Sequence, residues 1–159
     1  MSSRERNPFL LLILAAFLVM NVVGTGLTLR TCPQFSISRE AILGENGRNL
    51  KEFELGEQGE LTSLSGDPWI YYAFGEPVNV RFLTVEVSGV GGAGSEAQLY
   101  LIPSAGYRTM ELSDGRLSAR FGRAQGYRGV SAVRLDLAAE PGAVLTVEGA
   151  VVNDRLAVI

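Results

Sequence analysis

The pattern of apolar and polar positions changes character twice along the chain. From Pro8 to Leu29 no side chain is charged and nearly all are apolar, with Arg4, Glu5 and Arg6 before the run and Arg30 closing it. About 22 residues in a helix cover roughly 33 Å, enough for a bilayer core. The expectation is a transmembrane helix at 8–29, a cytoplasmic tail at 1–7, a linker at 30–40 and an extracytoplasmic domain at 41–159. The charge bias across the run is small, and the positive-inside rule favours the N-terminus inside, as in a signal-anchor. A cleaved signal peptide is the rival reading, because Gly24 and Gly26 have the small-residue spacing of a cleavage site. Within a retained span, Asn21, Gly24 and Gly26 are candidates for contact with a helix of a membrane-protein partner. Asn21 could equally reach interfacial water.

Beyond residue 40 the period becomes two. Leu83, Val85 and Val87 alternate with Thr84, Glu86 and Ser88, and Val133, Leu135 and Leu137 alternate with Ala132, Arg134 and Asp136. Such alternation marks strands buried on one face. Further strands are predicted within 41–43, 49–55, 60–64, 69–74, 97–102, 107–112, 117–121 and 144–152. Turn residues separate them: Asn46-Gly47, Ser65-Gly66-Asp67-Pro68, Asp114-Gly115 and Pro141-Gly142. The strand over 80–88 and the one over 97–102, joined by the glycine-rich stretch 89–94, are expected to pair. In the last strand Leu145, Val147 and Val151 are expected on one face. Alternating strands of this number bury their faces as two packed antiparallel sheets, so the fold class expected is all-β, a jelly-roll-like antiparallel β-sandwich carried on one N-terminal transmembrane helix.

Composition narrows the chemistry. The 159 residues include 19 glycines, in keeping with many turns, and carry a net charge of −3. That balance argues against nucleic acid as a partner. Histidine is absent, which removes Ser-His-Asp and Cys-His nucleophiles and HExxH zinc chemistry. Cys32 is the only cysteine, so it forms no intrachain disulfide and anchors no Cys-rich metal site. No metal, cofactor or catalytic residue is expected. The glycines at 89–94 lack the lysine and following helix of a phosphate loop.

The remaining candidates are aromatic, arginine and carboxylate side chains. Trp69, Tyr71, Tyr72, Tyr100, Tyr107 and Tyr127 could stack on sugar rings or pack in the core. In the strand from Trp69 the alternation sends Trp69 and Tyr71 to one side and Ile70 and Tyr72 to the other, so one pair is core. Tyr107-Arg108 and Tyr127-Arg128 lie beside glycines and are the preferred ligand-binding residues. Arg116, Arg120, Arg123, Arg128 and Arg134 could engage an acidic partner or form a solvated face. Nothing in the spacing of Asp67, Glu76, Glu86, Glu96, Asp114, Asp136 and Glu148 selects a hydrolytic pair.

Several segments carry a family resemblance. These are Gly66-Asp67-Pro68-Trp69-Ile70-Tyr71-Tyr72, then 80–87, Ala97-Gln98-Leu99-Tyr100, Val133-Arg134-Leu135-Asp136-Leu137 and Pro141-Gly142 before the last strand. In this order they resemble galactose-binding-like jelly-roll domains attached to bacterial membrane proteins of cell-surface polysaccharide synthesis. The resemblance covers roughly 61–152. It implies a non-catalytic carbohydrate-binding or interaction module with a glycan, a membrane-protein partner and the bilayer as partners. Its place would be that of an accessory subunit of a polysaccharide or glycosyltransferase system. The alternative is an envelope glycan-active enzyme using a carboxylate pair.

Overall fold

A computed structural model describes residues 8–89, 97–104, 106–137 and 140–154. The expected cytoplasmic tail and most of the glycine-rich stretch at 89–94 lie outside these. The chain divides into two units, Met1–Pro33 and Gln34–Ile159.

The first unit holds helix α1, Pro8–Thr31. Its apolar side chains are exposed all round; Phe9, Leu12 and Met20 are examples. Asn21 donates from Nδ2 to the Phe17 carbonyl at 2.7 Å, one turn back in the same helix. A Cβ added at Gly24 or Gly26 would meet no atom within 4 Å. Cys32 is a buried free thiol.

Among the described residues no helix is long and apolar enough to cross a membrane. This corrects the expectation of a transmembrane helix at 8–29, and with it the signal-anchor, the single-pass cell-membrane location and the extracytoplasmic placement of the domain. The stretch 9–24, with Asn21 its one polar side chain, covers only about 24 Å as a helix, short of the ~30 Å of a hydrocarbon core. Beyond it Thr25, Gly26, Thr28 and Arg30 dilute the run that hydropathy alone had joined together.

The second unit is an antiparallel β-sandwich. In chain order it comprises β1 (Phe35–Ser38), α2 (Arg39–Leu43), β2 (Leu50–Lys51), β3 (Phe53–Leu55), β4 (Leu61–Ser63), β5 (Trp69–Val78), β6 (Phe82–Ser88), β7 (Ala97–Ile102), β8 (Tyr107–Thr109), β9 (Glu111–Ser113), β10 (Arg116–Arg120), β11 (Val130–Leu137) and β12 (Val144–Val152). One sheet is seven-stranded, in the order β3-β4-β12-β6-β10-β9 with β1 also on β12; the other is five-stranded, β2-β5-β11-β7-β8. From β4 to β7 and again from β11 to β12, consecutive strands fall in alternate sheets, the jelly-roll mode of connection. For this reason β6 and β7 do not pair, contrary to expectation: sequence neighbours face each other across the core instead of sharing hydrogen bonds.

The inward residues are those that period two selects. Leu83, Val85 and Val87 of β6 face Ala97, Leu99 and Leu101 of β7 and Leu135 and Leu137 of β11 across a common core. Burial of each such Leu or Val contributes about 1.5–3 kcal/mol. In β5 Ile70 is the core member, which sends Trp69 and Tyr71 outward.

Other departures have local causes. Residues 34–40, read as linker, supply β1, which pairs with the end of β12 through Phe35↔Val152 and Ile37↔Ala150. Residues 41–43 are helical because Ser38 caps them, its Oγ accepting from the Ala41 N–H at 3.3 Å. The expected strand at 49–55 breaks at Glu52, whose φ of 59° sends β2 and β3 to different sheets. The segment 107–112 likewise changes sheet at the buried Met110. In β12 the register on β6 shifts between Val147 and Gly149. This bulge moves Ala150 and Val152 inward and leaves Val151 half exposed. Two turns agree with expectation: Asp114-Gly115 joins β9 to β10 with φ of 50° and 73°, and Gly142 after Pro141 has φ 85°.

Asn153 locks the end of β12 to the start of β6. Its Oδ1 accepts from the Arg81 and Phe82 N–H groups at 2.8 and 3.2 Å. Its Nδ2 donates to the Asn79 carbonyl at 2.7 Å, while its backbone sits at φ 55°. Asn153→Ala leaves two backbone donors without that acceptor and is expected to cost about 2–4 kcal/mol in chemical denaturation. Asn153→Asp keeps the acceptor and should cost less; equal losses would show that the left-handed backbone, not the side chain, is the lock.

Candidate functional site

The outer face of the five-stranded sheet collects the side chains that alternation leaves outside. Two cross-strand rows run over β5, β11, β7 and β8. In one, Tyr71 pairs with Arg134, Arg134 with Tyr100, and Tyr100 with Tyr107; in the other, Trp69 pairs with Asp136, Asp136 with Gln98, and Gln98 with Thr109. With about 4.8 Å between strands, each row is on the order of 14 Å long.

Arg134 is the centre of this face. Nε and Nη2 donate to the two Asp136 carboxylate oxygens at 2.5 and 2.7 Å, a bidentate pair between residues two apart on one strand. The guanidinium carbon lies 4.8 Å from the Trp69 ring centroid and 5.4 Å from that of Tyr100. Each such cation–π contact contributes about 0.5–2 kcal/mol. The Tyr100 hydroxyl donates to Gln98 Oε1 at 2.9 Å. Tyr107 leans on Tyr100, with ring centroids 5.3 Å apart and planes 34° apart. The result is a fixed aromatic and polar platform, with Tyr71 and Tyr107 among its exposed rings.

Burial pushes the Asp136 carboxyl above the ordinary carboxylate value; the Arg134 hydrogen bonds and charge pull it down, and nearby Asp67 adds a smaller upward push. Desolvation is the larger effect because only 13% of the Asp136 side chain is exposed.

The four residues preferred from sequence do not form one site. Tyr107 joins the platform. Arg108 is its neighbour on β8 but lines a separate cleft between the sheets. Tyr127 is half buried against the core, and its carbonyl accepts from the Val80 N–H at 2.8 Å. The Arg128 guanidinium lies 5.6 Å over the Tyr127 ring. Trp69, Tyr71, Tyr100 and Arg134 were candidates without being preferred, and Gln98 was missed as a site residue. The signal was present in register: once Ile70, Leu99 and Leu135 are inward, their strand neighbours must share the opposite face. Among the described residues no group of His, Cys, Asp and Glu could hold a metal ion.

The fold and this face define a class: an antiparallel jelly-roll sandwich with an aromatic outer sheet face. The chain is similar to a low-affinity xylan-binding module from Roseburia intestinalis, at 11% identity and a TM-score of 0.49 over 78% of this chain and 97% of that one. It is also similar to the C-terminal carbohydrate-binding module of a laminarinase from Zobellia galactanivorans, at 12% identity and a TM-score of 0.45 over 76% and 99% of the two chains. The lectin domain of lectinolysin, solved with Lewis b antigen, matches at 15% identity and a TM-score of 0.45 over 74% and 91%. No protein-family model and no curated protein matches the sequence. What the chain binds is therefore read from its own residues.

Because the folded state holds the Asp136 proton more tightly than the unfolded chain, the stability this group contributes is full below the ordinary Asp value of 3.8 and is lost as pH rises through the raised folded value. The wild-type protein should therefore lose denaturant resistance relative to Asp136→Asn as pH is raised from below 3.8 to above it. A flat or reversed difference would mean that Arg134 outweighs desolvation.

Proposed function

We propose that the domain is a non-catalytic glycan-binding module whose outer five-stranded sheet face receives the sugar. The observation that carries this reading is the Arg134–Asp136 pair held between Trp69 and Tyr100 and flanked by the exposed rings of Tyr71 and Tyr107. Apolar C–H faces of a pyranose stack on such rings, while hydroxyls find donors and acceptors in Arg134, Gln98 and Asp136. Arg134, Asp136, Gln98 and Tyr100 already hold one another in place, an arrangement that lowers the ordering cost of binding. The rows suit a short oligosaccharide lying across the strands. In this role the domain would act as an accessory subunit of a cell-surface polysaccharide or glycosyltransferase system.

A carboxylate-pair hydrolase is less well supported. Such an enzyme needs one carboxyl free to give up a proton and a second facing it across the substrate. The raised carboxyl here, Asp136, accepts from Arg134 through both oxygens.

Tyr71→Ala and Tyr107→Ala remove exposed rings without opening the core. Each should weaken binding of the best ligand from a panel of soluble polysaccharides about tenfold, near 1.4 kcal/mol, with the thermal midpoint within a few degrees of wild type. Unchanged affinity in both variants would move the site off this face.

A further inference from the structure

A second feature lies at the seam between the two sheets. A cleft of about 410 Å³ is lined by Arg81, Arg108 and Arg120, with Glu111, Thr109 and Ser118 among its other walls. Its size is within the range of small-ligand sites. The register explains the convergence. Arg120 ends β10 opposite Phe82, the residue after Arg81, and the Phe121 N–H donates to the Arg81 carbonyl at 2.8 Å. Arg108 arrives from β8 in the other sheet.

The arginines of this chain are not all alike. Arg116 is paired with Glu86 at 3.1 Å and Arg134 with Asp136, as expected of a solvated or structural face. Among the described residues none of Arg81, Arg108 and Arg120 forms an ion pair, and Glu111 is the only carboxylate among the cleft's lining residues. Three cations against one anion, in a chain whose net charge is −3, concentrate positive potential where low-dielectric walls focus it. Each guanidinium offers a fork that fits a carboxylate bidentately.

We propose that this cleft binds the carboxylate of a uronic acid residue, so that the glycan recognised by the domain is an acidic polysaccharide. This rests on the glycan-binding reading and adds to it the substrate class and a second anchoring point. Ser118 supplies a hydroxyl for the sugar, and the arginines take its charge.

The test uses the full chain and polyuronates of several linkages, each beside its carboxyl-reduced neutral counterpart, in affinity electrophoresis. A sulfated neutral galactan separates sulfate from carboxylate recognition. The acidic member of one pair should bind at least tenfold more tightly, with the advantage shrinking as salt is raised. The double variant R81Q/R120Q should abolish that advantage while leaving neutral-polymer binding within twofold. R108Q, on the other sheet, repeats the test should the double variant fold poorly. Equal binding of acidic and reduced polymers, an advantage that survives the variants, or preference for the sulfated polymer would each overturn the proposal and leave the glycan-binding reading standing. Failure to bind any polymer, acidic or neutral, would overturn both.

Discussion

Everything in the sandwich depends on the register of its central strands. A strand has two faces, and once one is committed to the core the other has no freedom. In β11, Val133, Leu135 and Leu137 are buried. Arg134 and Asp136 must then stand together on the outside, two residues apart and close enough for a bidentate pair. The neighbouring strands obey the same rule with Ile70 and Leu99, and their outward residues are Trp69, Tyr71, Gln98 and Tyr100. The core thus sets the composition of the platform: a slip of one residue in β11 would bury a charge pair and expose three aliphatic side chains.

The platform is also self-supporting. A lone arginine on a sheet face would sample many rotamers; this one is held by a carboxylate on its own strand and by rings on both sides. Its partner carboxyl gives up hydration to take part, which is why burial and the arginine pull its proton affinity in opposite directions. Neither group is stranded, in line with the lack of unpartnered buried side-chain polar atoms among the described residues. The seam cleft is built on the opposite plan. Its arginines are brought together by backbone pairing and by the meeting of two sheets, without a matching set of acids.

Much of the sandwich was legible in the chain. The strands announce themselves by alternation over 83–88 and 132–137, and Asp114-Gly115 and Pro141-Gly142 turn where their chemistry demands. What the sequence could not show is which sheet each strand joins. Glu52 and Met110 look ordinary, yet the chain changes sheets at each; the bulge near Glu148 leaves no mark that periodicity can read. The same gap hid the binding face. Tyr107 was singled out for its setting beside Gly106, while Trp69, Gln98 and Arg134, far apart in the chain, become neighbours only through pairing. The apolar N-terminal run erred in the other direction: hydropathy joined 9–24 to the weaker stretch after it and read one continuous span.

The position of β12 has a consequence for how the domain comes into being. It pairs with β1, β4 and β6, so it is the strand on which the larger sheet converges. It also follows all three in the chain. A ribosome releases β1, β4 and β6 first, each without this shared partner, and the edges that β12 will cover wait until residues 144–152 emerge. Closure of the larger sheet therefore waits for β12, and until it arrives those edges are open to pairing with other chains.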